Sequence, residues 1–565
     1  MSTSKRQSRR SSRKGLWINA SRRSRSLPTL ESLEARLVLS NYLVTSASPD
    51  RTVAGSLGNE IAAAVTALDS NAQITFAASL ASQTISLSSS YASSVTNYGP
   101  TAFVVSGSGV NITIDGLAAP GLVIDGNNSL RLFAVESGDS LTLKNLTVTG
   151  GLAQGTAGGL GEVTRRSGGG GGGGAGLGGA VYNDGGTFVA EGATFTNNVA
   201  QGGQGEAATS GGGNNVGGPG GSFGGVGGGL AGATGVAGGA GGYGQGGGGG
   251  GAKNGMAASP GIGGAGGFGG GGGGGGAGGG GAAGGVAGFG GGNGSLGGTT
   301  VNDSAGGGGG GAGLGGGIFS NGGTVTLVND TLTANTAYGG GGGIGWDYGQ
   351  SGSGYGGAVF MRNGTLNATF DTFSGNTSTN GNTSTGVATD VYMLGDATTA
   401  TATLIDNILG QSSAQTTTSD IAASAINGGT APTFSGSSNN LVAAEGTGGL
   451  TSGQYSLGFP ILGPLTYHSG PTQTIAQLAG CPGIGTGIAA DYPGTSTPIT
   501  TDQTGATRTA PYDLGSLLYT PTPNVTSLSP TNGPLAGGTT VTITGTDLAG
   551  ATAVEFGAIP ASSFT

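Results

Sequence analysis

Three ungapped blocks of equal length repeat along the chain, and they limit its fold more than any other feature. Residues 178–198 read GGAVYNDGGTFVAEGATFTNN, residues 315–335 GGGIFSNGGTVTLVNDTLTAN and residues 356–376 GGAVFMRNGTLNATFDTFSGN. Each opens on Gly-Gly, a pair suited to a corner with positive φ. An aliphatic-aromatic pair follows: Val181-Tyr182, Ile318-Phe319 and Val359-Phe360. A glycine turn comes next (Gly186, Gly323, Gly364), then an apolar residue with Asn three later: Phe195/Asn198, Leu332/Asn335 and Phe373/Asn376. In Thr324-Val325-Thr326-Leu327 the apolar residues alternate, as on a half-buried strand. Strands this short bury an apolar face only when copies stack. The blocks therefore predict stacked turns, with Val181, Ile318 and Val359 in one interior column. Asn198, Asn335 and Asn376 are expected in one turn column, sharing amide hydrogen bonds as cross-β ladders do.

Similar strands without the full motif occur at residues 111–116, 121–126, 141–150 and 402–410. Their spacing suggests a turn of roughly 20–25 residues. The chain has 565 residues, of which 8% are charged, and shows no helical periodicity. The fold class read from this is all-β: a right-handed parallel β-helix over residues 41–520. Residues 201–317 interrupt it, with 65 Gly in 117 positions. Glycine loses much backbone entropy on folding for little burial, so flexible coil is the first reading of the insert. The other is a packed polyglycine-II-like array, since glycine lets three-fold extended helices approach closely. Its G-x-G-x-x-G strings lack the strand-loop-helix context of a nucleotide site.

Charge is unevenly placed. Residues 1–40 hold ten Lys/Arg against two Glu, a net of +8, while the remaining 525 hold eight against 25, a net of −17. An acidic body does not bind nucleic acid by neutralising phosphates. No run of 18 apolar residues exists, so no membrane-spanning helix is expected. One cysteine, Cys481, excludes a disulfide framework, and one histidine, His468, excludes HExxH zincins.

Several segments resemble known families. The basic, Ser-rich start followed by Leu33, Glu34, Arg36, Leu37, Leu39 and Ser40 resembles the N-terminal segment of many planctomycete secreted and surface proteins, with Ala35 where proline is usual. Residues 1–40 are thus read as an export-associated head, in preference to a polyanion-binding tail. The GG-[AI]-x-x-N-x-G and F-x-x-N elements look like the repeats of chlamydial polymorphic outer-membrane proteins. Residues 437–442 (SSNNLV), 462–487, 501–508 (TDQTGATR) and 513–515 (DLG) resemble the C-terminal region of choice-of-anchor Q proteins. That resemblance implies a surface β-helix and attaches no catalytic role to the motif. Residues 521–565 look like the start of an IPT/TIG immunoglobulin-like sandwich, carried by Val525, Ser529-Pro530, Gly533-Pro534, Gly537-Gly538-Thr539, Val541, Ile543, Gly545, Ala553-Val554 and Phe556-Gly557. A full sandwich has about 100 residues, so the sequence is read as ending within the domain.

Carbohydrate-active β-helices need clustered acids, a calcium cage or a basic residue on one face. Asp115 and Asp125 lie ten positions apart, and each precedes a turn glycine. Arg165-Arg166 beside Glu162 is read as a solvated charge group, and Cys481 as a buried small side chain. Asp502, Arg508 and Asp513 are expected to form a salt-bridge cluster closing the helix. Threonine rows suited to ice binding are read only at residues 540–544. No residue is assigned a catalytic, cofactor-binding or metal-ligating role. The expected function is a non-enzymatic extracellular or cell-surface protein of structural or adhesion type, with glycans or envelope and matrix components as partners. The alternative is an extracellular polysaccharide lyase or glycoside hydrolase on the same scaffold.

Overall fold

The computed structural model describes residues 40–93, 97–164, 168–210, 216–223, 228–253, 259–300, 303–382, 386–410, 419–521, 523–546, 548, 551, 553–557 and 559–565. The chain divides into two units, Met1–Val38 and Leu39–Thr565. The first, with most of the export-associated head, lies outside the described residues.

The second unit is a parallel β-helix. Its strands stack into three long parallel sheets of eight, seven and nine strands among the described residues. The repeat blocks set the register. Val181–Asp184, Ile318–Asn321 and Val359–Arg362 are adjacent strands of the seven-stranded sheet, with Val181 paired to Ile318 and Ile318 to Val359. Phe133 precedes this column, and Val391 and Ile421 extend it. The eight-stranded sheet adds the inward column Ile112, Leu141, Phe188, Val325, Leu366 and Ala402. These side chains are essentially sealed from solvent in one continuous core. The helix Leu57–Thr66 packs against the first strands of the stack and buries Leu57, Ile61 and Ala64 in that core. Sequence periodicity did not reveal it, because the helix is only ten residues long and its buried face, Leu57, Gly58, Ile61 and Ala64, repeats the apolar spacing for barely two turns.

The corners follow the blocks as well. Gly178, Gly315 and Gly356 occupy one column at φ 62°, 63° and 59°. The expected asparagine column is present: Asn198 Nδ2 donates to Asn335 Oδ1 and Asn335 Nδ2 to Asn376 Oδ1, each at 2.9 Å. A second column runs through the neighbouring corner. The Ala193 amide donates to Asp330, the Asp330 amide to Asp371, the Asp371 amide to Asn407 and the Asn407 amide to Asn440.

The turns are longer than the motif spacing in the sequence suggested. Stacked partners stand 29 positions apart at Asp115 and Lys144, 41 at Asn335 and Asn376, and 33 at Asn407 and Asn440. A repeat block covers only three strands of a turn. The remainder holds a strand of a four-stranded sheet, such as Val199–Gln201, and then glycine-rich chain that leaves the solenoid and returns. That chain re-enters through Gly176–Leu177, Gly313–Leu314 and Gly354–Tyr355, which pair in parallel.

The described parts of the glycine insert and of residues 156–176 form an ordered array, not flexible coil. Gly169, Gly172 and Ala175 donate their amides to the carbonyls of Gly250, Gly247 and Gly244. Gly170, Gly173 and Gly176 donate to Gly306, Gly309 and Ala312, and Gly171 and Gly174 to Gly159 and Thr156. One strand thus addresses three neighbours with a period of three, the signature of a three-fold extended helix. A Cβ built at Gly169, Gly170 or Gly171 would lie within 3.0 Å of the carbonyls of Gly274, Glu206 or Pro219. Close approach, not positive φ, excludes larger residues there. The entropic cost that argued for coil is offset because the strands satisfy one another's backbone donors.

The array covers a second core. In each aliphatic-aromatic pair the aliphatic residue points inward and the aromatic one outward. Tyr182, Phe319, Phe360 and Tyr392 form a stacked column with centroids 5.3, 5.4 and 5.3 Å apart. Tyr243, Phe268 and Phe289 of the array stack on one another at 5.2 and 5.8 Å and pack against this column. Two arginines bind the layers together. Arg362 pairs with Asp396 at 2.7 Å and lies 4.7 Å from the Phe268 ring centroid. Arg131 is buried and donates to the carbonyls of Leu177 and Gly178.

Residues 471–519 form a strap along the outside of several turns. The Gly121 amide donates to the Pro471 carbonyl, Thr472 Oγ1 to the Gly192 carbonyl and the Gly515 amide to the Asp406 carbonyl. The antiparallel strands Asn524–Ser529 and Thr542–Thr546 follow, then Glu555–Phe556 paired with Ile559–Pro560.

Candidate functional site

The acids singled out in the sequence do not converge. Asp115 lies in the eight-stranded sheet, where its Oδ1 accepts from the Leu117 amide and from Asn145 Nδ2. Asp125 lies in the nine-stranded sheet and accepts from the Asn127 amide. Both act in turns, as precursors of glycine commonly do. His468 Nδ1 and Thr474 Oγ1 lie 2.8 Å apart beside the hairpin of Leu462–Tyr467 and Gln473–Gln477. Cys481 is buried with Ile408, Leu441 and Leu514. Arg165 and Arg166, and the side chain of Glu162, lie outside the described residues.

The expected Asp502/Arg508/Asp513 salt-bridge cluster takes another form. The Arg508 guanidinium is buried and donates to the carbonyls of Thr501, Asp513 and Gly515 and to Asn329 Oδ1. The carboxylates serve the loops instead. Asp502 accepts from the Thr504, Ala506 and Leu518 amides, and Asp513 from the Gly485 and Tyr519 amides. Burial lowers the Arg508 pKa to about 10, while Asp502, Asp406, Asp513 and Asp371 pull it upward. A charged fork among short loops finds main-chain acceptors more readily than a second buried charge, and sequence spacing cannot tell these outcomes apart.

Other buried carboxyls lie toward the last turns. Asp330, Asp371 and Asp390 are held well above the usual carboxylate range, chiefly by burial. Burial likewise moves Asp406 and Asp420 to about 6 and Glu445 to about 8. Glu445 borders a cavity of about 570 Å³ with Tyr392, Ser419, Ser424 and Thr447. Perturbed acids often mark active sites, but structural networks perturb them too. Here Asp330 and Asp371 are rungs of a hydrogen-bond column, and Asp390 Oδ1 ends the asparagine ladder by accepting from Asn376. Among the described residues no group of three or more His, Cys, Asp or Glu is placed to hold a metal ion, and no helix is long and apolar enough to cross a membrane.

Two surfaces stand out. The outward face of the eight-stranded sheet carries the column Thr187, Thr324, Thr365, Thr401 and, beside it, Thr113, Thr142, Val189, Thr326, Asn367, Thr403. Threonine rows therefore exist on the solenoid, contrary to the sequence reading, which located them only in the C-terminal piece. At the end of this face the strap segment 488–495 overhangs the sheet and encloses a groove of about 380 Å³.

The second surface is the outer layer of the glycine array. Gly238 and Gly241 donate to Ile262 and Ala265, and Gly263 and Gly266 to Ala283 and Val286, which places three strands side by side. Their sequences are AGGAGGY (237–243), IGGAGGF (262–268) and AGGVAGF (283–289). At every third position stands a residue larger than glycine: the first two of each set face outward, and the last is the aromatic residue that roots the strand. This period of three is legible in the sequence, but a search tuned to the longer blocks passes over it.

No curated protein and no solved structure was found to match the chain. Residues 523–564 match the IPT/TIG domain family.

Proposed function

We propose that this chain is a non-enzymatic extracellular or cell-surface protein of structural or adhesion type, with glycans or other envelope and matrix components as its partners. The observation that carries the reading is how the acids are used. Asp115, Asp125, Asp502 and Asp513 hold turns and loops, and Asp330 and Asp371 link rungs, so these groups are engaged in maintaining the stack. The IPT/TIG match at residues 523–564 supports a surface setting, since immunoglobulin-like modules commonly serve there. Residues 1–40 serve export in this reading, and fractionation of the native cell should find the full chain outside the cytoplasm.

A turnover assay tests the enzymatic alternative. The full chain, incubated with neutral and acidic polysaccharides with and without calcium, should release no reducing or unsaturated sugar. Calcium-dependent release of unsaturated product would overturn the non-enzymatic reading.

A further inference from the structure

We infer that the groove between the eight-stranded sheet and strap segment 488–495 is a binding site for a short run of a neutral saccharide. The inference rests on the extracellular reading above and gives it a location. The floor comes from two adjacent turns, in which Asn367 pairs with Thr403 and Thr369 with Ile405, all four on the outer side of the sheet. The wall is Ile488, Ala489, Ala490, Asp491, Tyr492 and Pro493.

The wall is held in place before any ligand arrives. The Tyr492 amide donates to the Thr497 carbonyl and the Ile499 amide to the Ala490 carbonyl, so residues 490–499 fold as a hairpin. Tyr492 Oη donates to Glu191 Oε1 at 3.0 Å, and Glu191 pairs with Lys144 on the preceding turn. The Ile488 amide is fixed by the Asp406 carboxyl. A site made of such preformed elements loses little entropy on binding.

Its chemistry suits a sugar ring. Among the described residues the Asn367 amide and the Asp491 carboxylate make no side-chain hydrogen bond to the protein, so both are available to a ligand. The Thr403 hydroxyl donates to the Ser435 carbonyl and keeps its lone pairs free to accept. An amide that donates and accepts, a carboxylate that accepts and this hydroxyl match the hydroxyls of a pyranose. Ile405, Ile488, Tyr492 and Pro493 supply apolar surface for its C–H faces. A volume of about 380 Å³ falls within the range of small-ligand sites. Charge decides the class. Asp491 lies in the groove, and the body outside residues 1–40 carries a net −17, so uronic or sulfated sugars are repelled. The threonine columns continue from the groove along the sheet, so a longer chain has hydroxyls to follow.

The test uses the full chain with gluco-, manno- and xylo-oligosaccharides of two to six units, and trigalacturonate as the anionic control, by calorimetric titration. At least one neutral series should bind while trigalacturonate does not. Asn367→Ala and Asp491→Ala should each weaken that binding about tenfold at an unchanged melting midpoint, because neither side chain bonds within the fold. Absence of binding by every neutral series would overturn the inference and leave the non-enzymatic reading to the turnover assay. Neutral binding that survives both substitutions would also overturn the groove, while keeping glycans as partners. Tighter binding of trigalacturonate would overturn the assignment to neutral sugars.

Discussion

The guanidinium of Arg508 lies 3.9 Å from the centroid of the Phe370 ring, joining the strap to a corner of the solenoid. Phe370 occupies that corner at φ 58°, in a column with Asn145, Asn329, Asp406 and Asn439 at φ 55–58°. A bulky aromatic residue rarely adopts such a conformation. At this rung the ring faces the strap, and the arginine above it satisfies three carbonyls of the strap and Asn329 Oδ1 of the solenoid.

Arg508→Met should therefore destabilise the fold strongly. The substitution keeps most of the side-chain volume but leaves the carbonyls of Thr501, Asp513 and Gly515 without this donor. The expected loss is about 3 kcal/mol, by analogy with other buried donors. Denaturant unfolding measures it, and a loss below about 1 kcal/mol would mean that the strap contributes little to stability.

Stability should fall as pH rises from 5 to 8. Asp406 and Asp420 titrate near 6 and Glu445 near 8 in the fold, whereas unfolded carboxyls titrate near 4. Between those values the folded chain binds more protons than the unfolded one, so stability decreases with pH. The melting midpoint should be higher at pH 5 than at pH 8. Glu445→Gln should flatten the portion between pH 6 and 8, and a midpoint that rises over this range would contradict the assignment.

Asp371→Asn should stabilise the protein at pH 8. Asn407 and Asn440 already occupy later rungs of the same column, and an amide oxygen can accept from the Asp330 amide as the carboxylate does. Among the described residues Asp371 Oδ2 has no hydrogen-bond partner, and burial raises its pKa, so ionisation costs stability above the unfolded value. The gain should be about 1 kcal/mol at pH 8 and vanish near pH 4. Parallel melts of both proteins across that range are the measurement.

Gly172→Ala should disrupt the glycine array, whereas Ala265→Ser should not. The new Cβ at 172 would press into the Gly271 carbonyl, while Ala265 faces outward. Overpacking of this kind costs about 1–3 kcal/mol. Hydrogen exchange provides the readout: amides of residues 169–174 and 246–251 should be protected in the parent chain and exposed in Gly172→Ala. Fast exchange in the parent would restore the flexible-coil reading.

The sequence by itself determined the stacking register. Val181, Ile318 and Val359 share a column, and Asn198, Asn335 and Asn376 form a ladder, because residue type and spacing within one block suffice to fix inward, outward and corner positions. Composition could not decide the glycine insert. Each glycine strand gains order only from neighbours distant in the chain, as when the Gly170 amide meets the Gly306 carbonyl and the Gly274 amide meets Gly170. The same holds for the aromatic half of each pair: Tyr182, Phe319 and Phe360 read as partners of an inward residue, but what they pack against arrives from residues 243–289. Arg508 likewise looked like an ion-pair partner until its acceptors, main-chain carbonyls and Asn329, were brought to it. Local alternation is written in the chain because each residue's pleat position depends on its neighbours. Satisfaction of the backbone and of buried charge depends on which distant segments meet, and only the tertiary structure decides that.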